Sequence, residues 1–371
     1  MYNNVGVVGM GIKLPILKQG DNLVEEVVRA VLDATAEFPN DSLSEPYFDL
    51  NNKDVLGITE SIVARVYGQY VTVDEIADDI HRKCGNKEEA RVLLMAPIYS
   101  RNRFSMILKG IARGTHKGHI SILEPKFDEV GNPSGVNPFT GCDIDKYYRE
   151  ICEAEGCTYK SAESIERLSF PFDLIINCEL NPKVEVSQSV NRCTLRDICN
   201  LLNPDFGLLG TNKASEEKLK LFPTRLLATT FCEAVKSRLM EETGKDIYVC
   251  VYGDGCFKDP VGGIWEKADP VTMPGYTNPE IFESTPNEIK IKAFADDKYD
   301  GLQGEELTEV IKQEIREKKE SLKGNMASQG TTPRLRRDLF ASVMDLISGS
   351  GDRGTPVVLL QHLFDDYSTT D

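Results

Sequence analysis

Apolar residues recur at helical spacing in GDNLVEEVVRAVLDA (20–34), where Leu23, Val24, Val27, Val28, Val31 and Leu32 fall on one stripe. Asp21 stands where an N-cap belongs. Short unbroken apolar runs predict buried strands instead. One lies in DVLGITESIVARVYG (54–68) and runs into a loop or helix start; GHISILEP (118–125), FDLIINCEL (172–180) and DIYVCVYG (246–253) are others. NEIKIKAFADD (287–297) alternates apolar and polar positions, the period of a strand. Residues 181–245, above all TRLLATTFCEAVKSRLMEE, are patterned as a helical block. GEELTEVIKQEIREKKESL (304–322) predicts a charged surface helix. TTPRLRRDLFASVMDLI (331–347) predicts a helix with Thr332 as N-cap and Pro333 at its first position, followed by SGSGDRGTP and a buried strand, VVLLQHLF.

These elements predict a mixed α/β protein of the α+β class, not doubly wound, because strands and helices do not alternate regularly. A chain of 371 residues exceeds one ordinary core and predicts two intimately packed subdomains. The net charge of −16 argues against nucleic acid and anionic membranes as partners. It leaves room for small phosphorylated ligands held by a few local cations. The N-terminal residues lack a secretory pattern and no window has the length of a membrane span, so the expectation is a cytoplasmic protein. Ten cysteines are scattered without a CxxC pair, and Cys178 and Cys250 sit inside apolar runs as small hydrophobes. His81, His116, His119 and His362 show no paired spacing, which favours an oxygen-bound ion over zinc.

Four stretches could carry chemistry. GDG at 253–255 puts Asp254 at a strand end with space beside it for a hydrated cation, or in an ordinary glycine turn. KFDEVGNPSGVNP (126–138) offers Asp128, Glu129, Asn132 and Asn137 as oxygen donors, or simply a surface turn. SGSGDRGTP (348–356) exposes successive backbone N–H groups able to wrap an anion, with Arg334, Arg336 and Arg337 one helix away. KLPILKQGDNL near the N-terminus forms a stiff apolar segment that could stack on a base or pack in the core.

In this order the segments resemble the coenzyme F-420 gamma-glutamyl ligases. GIKLPILKQGDNL is similar to the family's N-terminal segment, VLGITESIVARVYGQYVTVDEI to its strand and serine-bearing element, and GTPVVLL to its closing strand. The resemblance implies a single ligase unit over 1–371, with 181–245 and 270–325 as insertions. It implies an enzyme that uses GTP (or ATP) and Mg²⁺ or Mn²⁺ to join L-glutamate, or a related amino acid, to a carboxylate acceptor through an acyl phosphate. Asp128 and Asp254 would be the catalytic metal ligands. Leu14, Pro15, Ile16, Leu17, Glu60, Ser61, Arg65 and Asn132 would surround the nucleotide. Ser348, Gly349, Ser350, Gly351, Asp352, Arg353, Gly354 and Thr355 would form the loop over it. An intertwined homodimer is also implied.

The chain departs from the family pattern at Gly255 (commonly threonine), Ser350 (Glu or Gln), Arg65 (lysine) and Gly131 (asparagine, here one step later as Asn132). The alternatives are a metal-dependent phosphohydrolase on the same acids, and a catalytically inactive nucleotide-binding module.

Overall fold

Which apolar runs become neighbours is decided by backbone hydrogen bonding between strands far apart in sequence. The computed structural model describes residues 6–35, 48–95, 103–123, 136, 141, 143–168, 171–178, 190–253, 257–258, 265–266, 271–286, 288–318, 335–349 and 351–369. The chain opens with β1 (Val8–Ile12), α1 (Leu23–Thr35), β2 (Val55–Thr59), α2 (Glu60–Val66) and β3 (Tyr70–Thr72). It then builds a second unit: α3 (Val73–Lys83), β4 (Arg91–Met95), α4 (Arg103–Gly114), β5 (His119–Leu123), α5 (Ile144–Ala154), β6 (Thr158–Ala162), β7 (Leu174–Asn177) and β8 (Asn191–Thr194). The return path carries β9 (Thr211–Ser215), β10 (Lys218–Leu221), α6 (Arg225–Thr243), β11 (Tyr248–Tyr252), β12 (Phe257–Lys258), β13 (Trp265–Glu266) and β14 (Gly275–Tyr276). Last come α7 (Pro279–Phe282), α8 (Ile291–Ala293), α9 (Gly304–Glu317), α10 (Arg336–Ser348) and β15 (Val357–Gln361).

The first unit is a five-stranded mixed sheet in the order β1-β15-β2-β11-β14. β15 runs antiparallel to both β1 and β2, while β2 and β11 are parallel. Helices cover both faces. The apolar stripe of α1 buries Leu23, Val27, Val28 and Val31 beside Phe231, Val235 and Leu239 of α6, against Leu56, Ile58, Val249 and Leu359 of the sheet. Each such side chain taken fully out of water contributes about 1.5–3 kcal/mol. α10 packs on the other face, placing Phe340 and Met344 against Val55, Cys250 and Val358. That approach is close because β2 carries Gly57, where a Cβ would sit 2.2 Å from the Met344 sulfur.

The second unit is a five-stranded sheet in the order β6-β5-β4-β7-β8, with every pair parallel. Its strands alternate by face. Val92, Leu94, Ile120, Ile122 and Ile176 join a core shared with α3, α4 and α5, while Leu93, Met95, Leu123 and Ile175 face Leu168 and Phe172. Among the described residues the helices therefore lie on one face only, so the sheet is parallel without being doubly wound. α3 begins on a capping box, in which Thr72 Oγ1 accepts from the Glu75 N–H and the Glu75 carboxylate accepts from the Thr72 N–H. The short sheet β3-β10-β9 joins the two units, since Leu219 and Leu221 belong to the core of the second.

Several local expectations change. Asn22, not Asp21, caps α1: the Glu25 N–H donates to Asn22 Oδ1 at 3.4 Å, while Asp21 accepts from the Lys18 N–H. Residues 181–245 are not one helical block, because β8, β9 and β10 fill 191–221 before α6 begins. The strand expected over 287–297 is helical from 291 onward; Ile291 is 41% exposed, so alternation there served no sheet face. The expected helix start at Thr332 and Pro333 lies outside the described residues, and α10 begins at Arg336.

Candidate functional site at one edge of the mixed sheet

Register fixes which strand ends meet. Ile12, the last residue of β1, pairs with Val357, the first of β15. Val357 also pairs with Ile58 near the end of β2, and Thr59 of β2 pairs with Tyr252 at the end of β11. The C-terminal ends of β1, β2 and β11 and the N-terminal end of β15 thus form one edge. Successive strands lie about 4.8 Å apart, so β1 and β11 are separated by roughly 14 Å along it. Three sequence-predicted segments leave from this edge or arrive at it: Leu14–Leu17 after β1, Glu60–Arg65 after β2, and Ser348–Thr355 before β15. Gly253, which follows β11, is held there by its N–H donating to the Thr272 carbonyl at 2.8 Å.

Direct hydrogen bonds stitch the segments together. The Leu14 N–H donates to the Gly354 carbonyl at 3.1 Å, and the Thr59 N–H donates to the Pro356 carbonyl at 2.9 Å. Gly349 ends α10 at φ +61°, and Gly354 turns the chain at φ +66°, a backbone shape that excludes a comfortable side chain. Arg353 lies over Gly349, where a Cβ would come within 2.9 Å of the guanidinium, and Thr355 Oγ1 donates to the Ser348 carbonyl at 3.1 Å. Asp352 and Arg353 are exposed.

The apolar N-terminal segment divides. Leu17 is buried and Leu14 packs against the same core, so these two side chains turn inward. Pro15 and Ile16 face outward, with Ile16 89% exposed beside the small-residue loop. A groove of about 660 Å³ adjoins Pro15 between β1 and α1, with Lys13, Arg29, Glu26 and Asp33 in its wall and Arg29 paired with Glu26.

Glu60 and Ser61 start α2 directly at the end of β2. Glu60 is only 1% exposed, and its Oε1 accepts from Asn212 Nδ2 at 2.6 Å. Its carboxylate therefore anchors the β9–β10 hairpin rather than facing open solvent. Lys220 Nζ, from β10, donates to Ser61 Oγ. Thr211 is fully buried next to Asn212, and its Oγ1 has no hydrogen-bond partner among the described residues. Arg65 is exposed one turn past Ser61. Sequence reasoning missed Asn212 and Lys220, which are 152 and 159 residues from their partners, because NKASEEKLKL falls inside the stretch expected to be a helical block.

Other expectations fall elsewhere. Asp128, Asn132, Asp254 and Ser350 lie outside the described residues. In the chain, Asp128 follows β5 of the parallel sheet and Asp254 follows β11 of the mixed one. Arg336 and Arg337 start α10, about 18 Å of helix away from the loop at its other end. They add no charge there; Arg336 instead packs on the Phe364 ring, and burial lowers its pKa. The described cysteines are free, and burial pushes the Cys84, Cys193 and Cys199 thiols up to about 12, so none of these three is a nucleophile at neutral pH. No helix among the described residues is long and apolar enough to cross a membrane.

No curated protein matches the chain. The model of the family described as F420-0:Gamma-glutamyl ligase matches residues 11–362, a span that contains the parallel sheet, the hairpin and all of the mixed sheet except Val8, Gly9 and Met10 of β1. The chain therefore belongs to the F420-0:gamma-glutamyl ligase family, a family of ligases.

Proposed function

We propose that the protein joins L-glutamate, or a related amino acid, to a carboxylate acceptor through an acyl phosphate, consuming GTP or ATP with Mg²⁺ or Mn²⁺ as the cation. The observation that carries this reading is the convergence of the segments at 14–17, 59–65 and 348–356 on one sheet edge, tied by backbone hydrogen bonds. The oxygen groups of Glu60, Ser61, Gly354 and Pro356 at this edge are engaged in hydrogen bonds, and a hard dication takes carboxylate oxygens in preference to nitrogen. Asp128 and Asp254 would hold the ion, which when bound would neutralise charge on the phosphate oxygens.

A carboxylate does not accept an amine at neutral pH, so an oxygen of the acceptor first takes the terminal phosphoryl group. The bond from that phosphorus to the bridging oxygen breaks and the nucleoside diphosphate leaves. The neutral amine of glutamate then attacks the acyl carbon and inorganic phosphate departs. Catalysis here is mainly positioning and charge neutralisation. Lys220 supplies the ammonium beside the phosphates, held at the start of α2 by Ser61. Buried Glu60 fixes the hairpin that presents it, through Asn212. Pro15 and Ile16 offer an apolar surface to the base, and the loop from Ser348 to Thr355 covers the phosphates. The proposal includes a homodimer.

The test is a matrix of GTP or ATP, amino acids and carboxylate acceptors with Mg²⁺ or Mn²⁺, read by mass spectrometry for the gain of one amino-acid residue and by phosphate release. Product should require all components, and Asp254→Ala or Asp128→Ala should abolish it without lowering the melting temperature. Phosphate release with no amine present would instead make the protein a phosphohydrolase. Nucleotide binding without turnover would make it an inactive module.

A further inference from the structure

Away from the sheet edge, three side chains converge at the far end of α3. His81 sits in the last turn of that helix, Glu88 in the turn before β4, and His116 in the turn between α4 and β5. One potential ligand atom from each lies within 4.8 Å of the other two. Nδ1 of His81 is buried with no hydrogen-bond partner among the described residues, while Nδ1 of His116 is 2.9 Å from the Glu88 carboxylate. The two imidazoles stack at 3.9 Å, with 6° between their planes.

The backbone sets these groups in place. The Asn86 N–H donates to the His81 carbonyl at 2.9 Å and the Glu89 N–H donates to the His116 carbonyl at 3.3 Å. Asn86, Glu89, His116 and Lys117 all hold positive φ, and such non-glycine residues cost energy that the surrounding contacts must offset. The two turns are in contact at Gly118, where a Cβ would come 2.0 Å from the Ala90 carbonyl oxygen. Three cations nearby in the chain are engaged elsewhere: Arg82 and Lys83 pair with Asp79, and Lys87 pairs with Asp173.

We propose that His81, His116 and Glu88 form a binding site for a divalent transition metal of the zinc class, separate from the oxygen-bound cation of the ligase site. Two imidazoles and one carboxylate are a common zinc donor set, with a fourth position left for water. Imidazole lone pairs lie in the ring plane, so parallel rings cannot share one ion. Binding therefore requires one ring to turn out of the stack. His116, with its side chain 43% exposed, is the ring free to do so, and the turn brings its nitrogen towards the about 2.0–2.1 Å that zinc requires. The ion would clamp the end of α3 to both turns at the N-terminal edge of the parallel sheet. His81 lies about 12 Å along α3 from Val73, which follows the bridging strand β3, so the inference is independent of the ligase reading.

The experiment uses the full chain stripped of metal by a chelator and titrated with Co²⁺ and Zn²⁺. The expected results are one bound ion per chain, a visible absorption band for Co²⁺ of a tetrahedral or five-coordinate site, and a higher melting temperature with Zn²⁺. His81→Ala and His116→Asn should each weaken Zn²⁺ by about 100-fold, the upper range for losing a metal-site partner. Asparagine is chosen at 116 because it tolerates left-handed backbone. Glu88→Gln, on an exposed side chain that the fold does not need, should weaken it about 10-fold. His362→Asn, the same substitution at another left-handed position, should leave Zn²⁺ binding unchanged. Circular dichroism checks the fold of each variant, and Glu88→Gln carries the test if the histidine variants unfold. Zn²⁺ binding insensitive to these substitutions, or no binding up to millimolar metal, would overturn the proposal.

Discussion

The two five-stranded sheets are built from strands of similar length and apolar character, yet they do different work. In the mixed sheet β15 runs against its neighbours, which brings a late loop back beside segments from the start and middle of the chain. Helices close both faces, so the open place for small polar groups is the strand-end edge. In the parallel sheet the strands follow in a local order, and α3, α4 and α5 pile onto one face. None of the described candidate ligase residues belongs to it. On the proposed function, antiparallel return assembles the site and sequential parallel winding supports it.

The sharpest way to break this contrast is to damage the support. The Asp79 carboxylate is buried, pairs with Lys83 and Arg82, and accepts from the Cys199 N–H at 2.8 Å. Asp79→Ala leaves a buried N–H and a half-buried lysine without their partner and should cost about 3 kcal/mol in chemical denaturation. Below the melting temperature, turnover per folded molecule should be unchanged; a large loss of kcat would mean the parallel sheet takes part in the chemistry.

The converse comes from the edge. Lys220→Ala should lower kcat/KM about 100-fold, the size of losing one donor to developing charge, with little change in melting temperature. Arg65→Ala, on the exposed flank of the same helix, should lower it less, which asks whether a lysine from the hairpin has taken over from the helix position. Smaller again, Ile16→Ala should raise the KM for nucleotide about 10-fold through lost apolar contact, equivalent to about 1.4 kcal/mol, leaving kcat intact.

The smallest effect is a pH dependence at the opposite end of the mixed sheet. Burial raises the Asp54 pKa above 3.8, against hydrogen bonds from the Asn51 N–H and Gln361 Nε2. A raised carboxyl pKa means the folded state holds the proton more tightly. That contribution is full below 3.8 and lost as pH rises through the folded value. Asp54→Asn should therefore gain melting temperature relative to the natural protein as pH increases from 4 to 7, a difference that a scan of both proteins across pH measures directly.

Much of the local structure was legible. The stripe of α1, the apolar runs of β2, β5, β7, β11 and β15, and the long helix α6 follow from period and composition. The capping box at Thr72 and Glu75 could also have been found, since a threonine followed three residues later by glutamate carries its own mechanism. The alternation in 287–297 misled, because a period of two gives a strand only where a neighbouring strand accepts its hydrogen bonds. The LPIL segment looked uniform, and only packing divided Leu14 and Leu17 from Pro15 and Ile16.

What the sequence determined by itself is the set of elements, the acidic and soluble-looking composition, and the segments from which a family could be named; these depend on contacts within a turn or a strand. What the tertiary structure decided is pairing over distance. The ammonium of Lys220 met Ser61, the Asn212 amide met Glu60, and His81 met His116 although their spacing shows no pair. Such meetings depend on strand register and on which side of a sheet the chain returns. Both are fixed by the burial of whole faces rather than by any residue's neighbours in sequence.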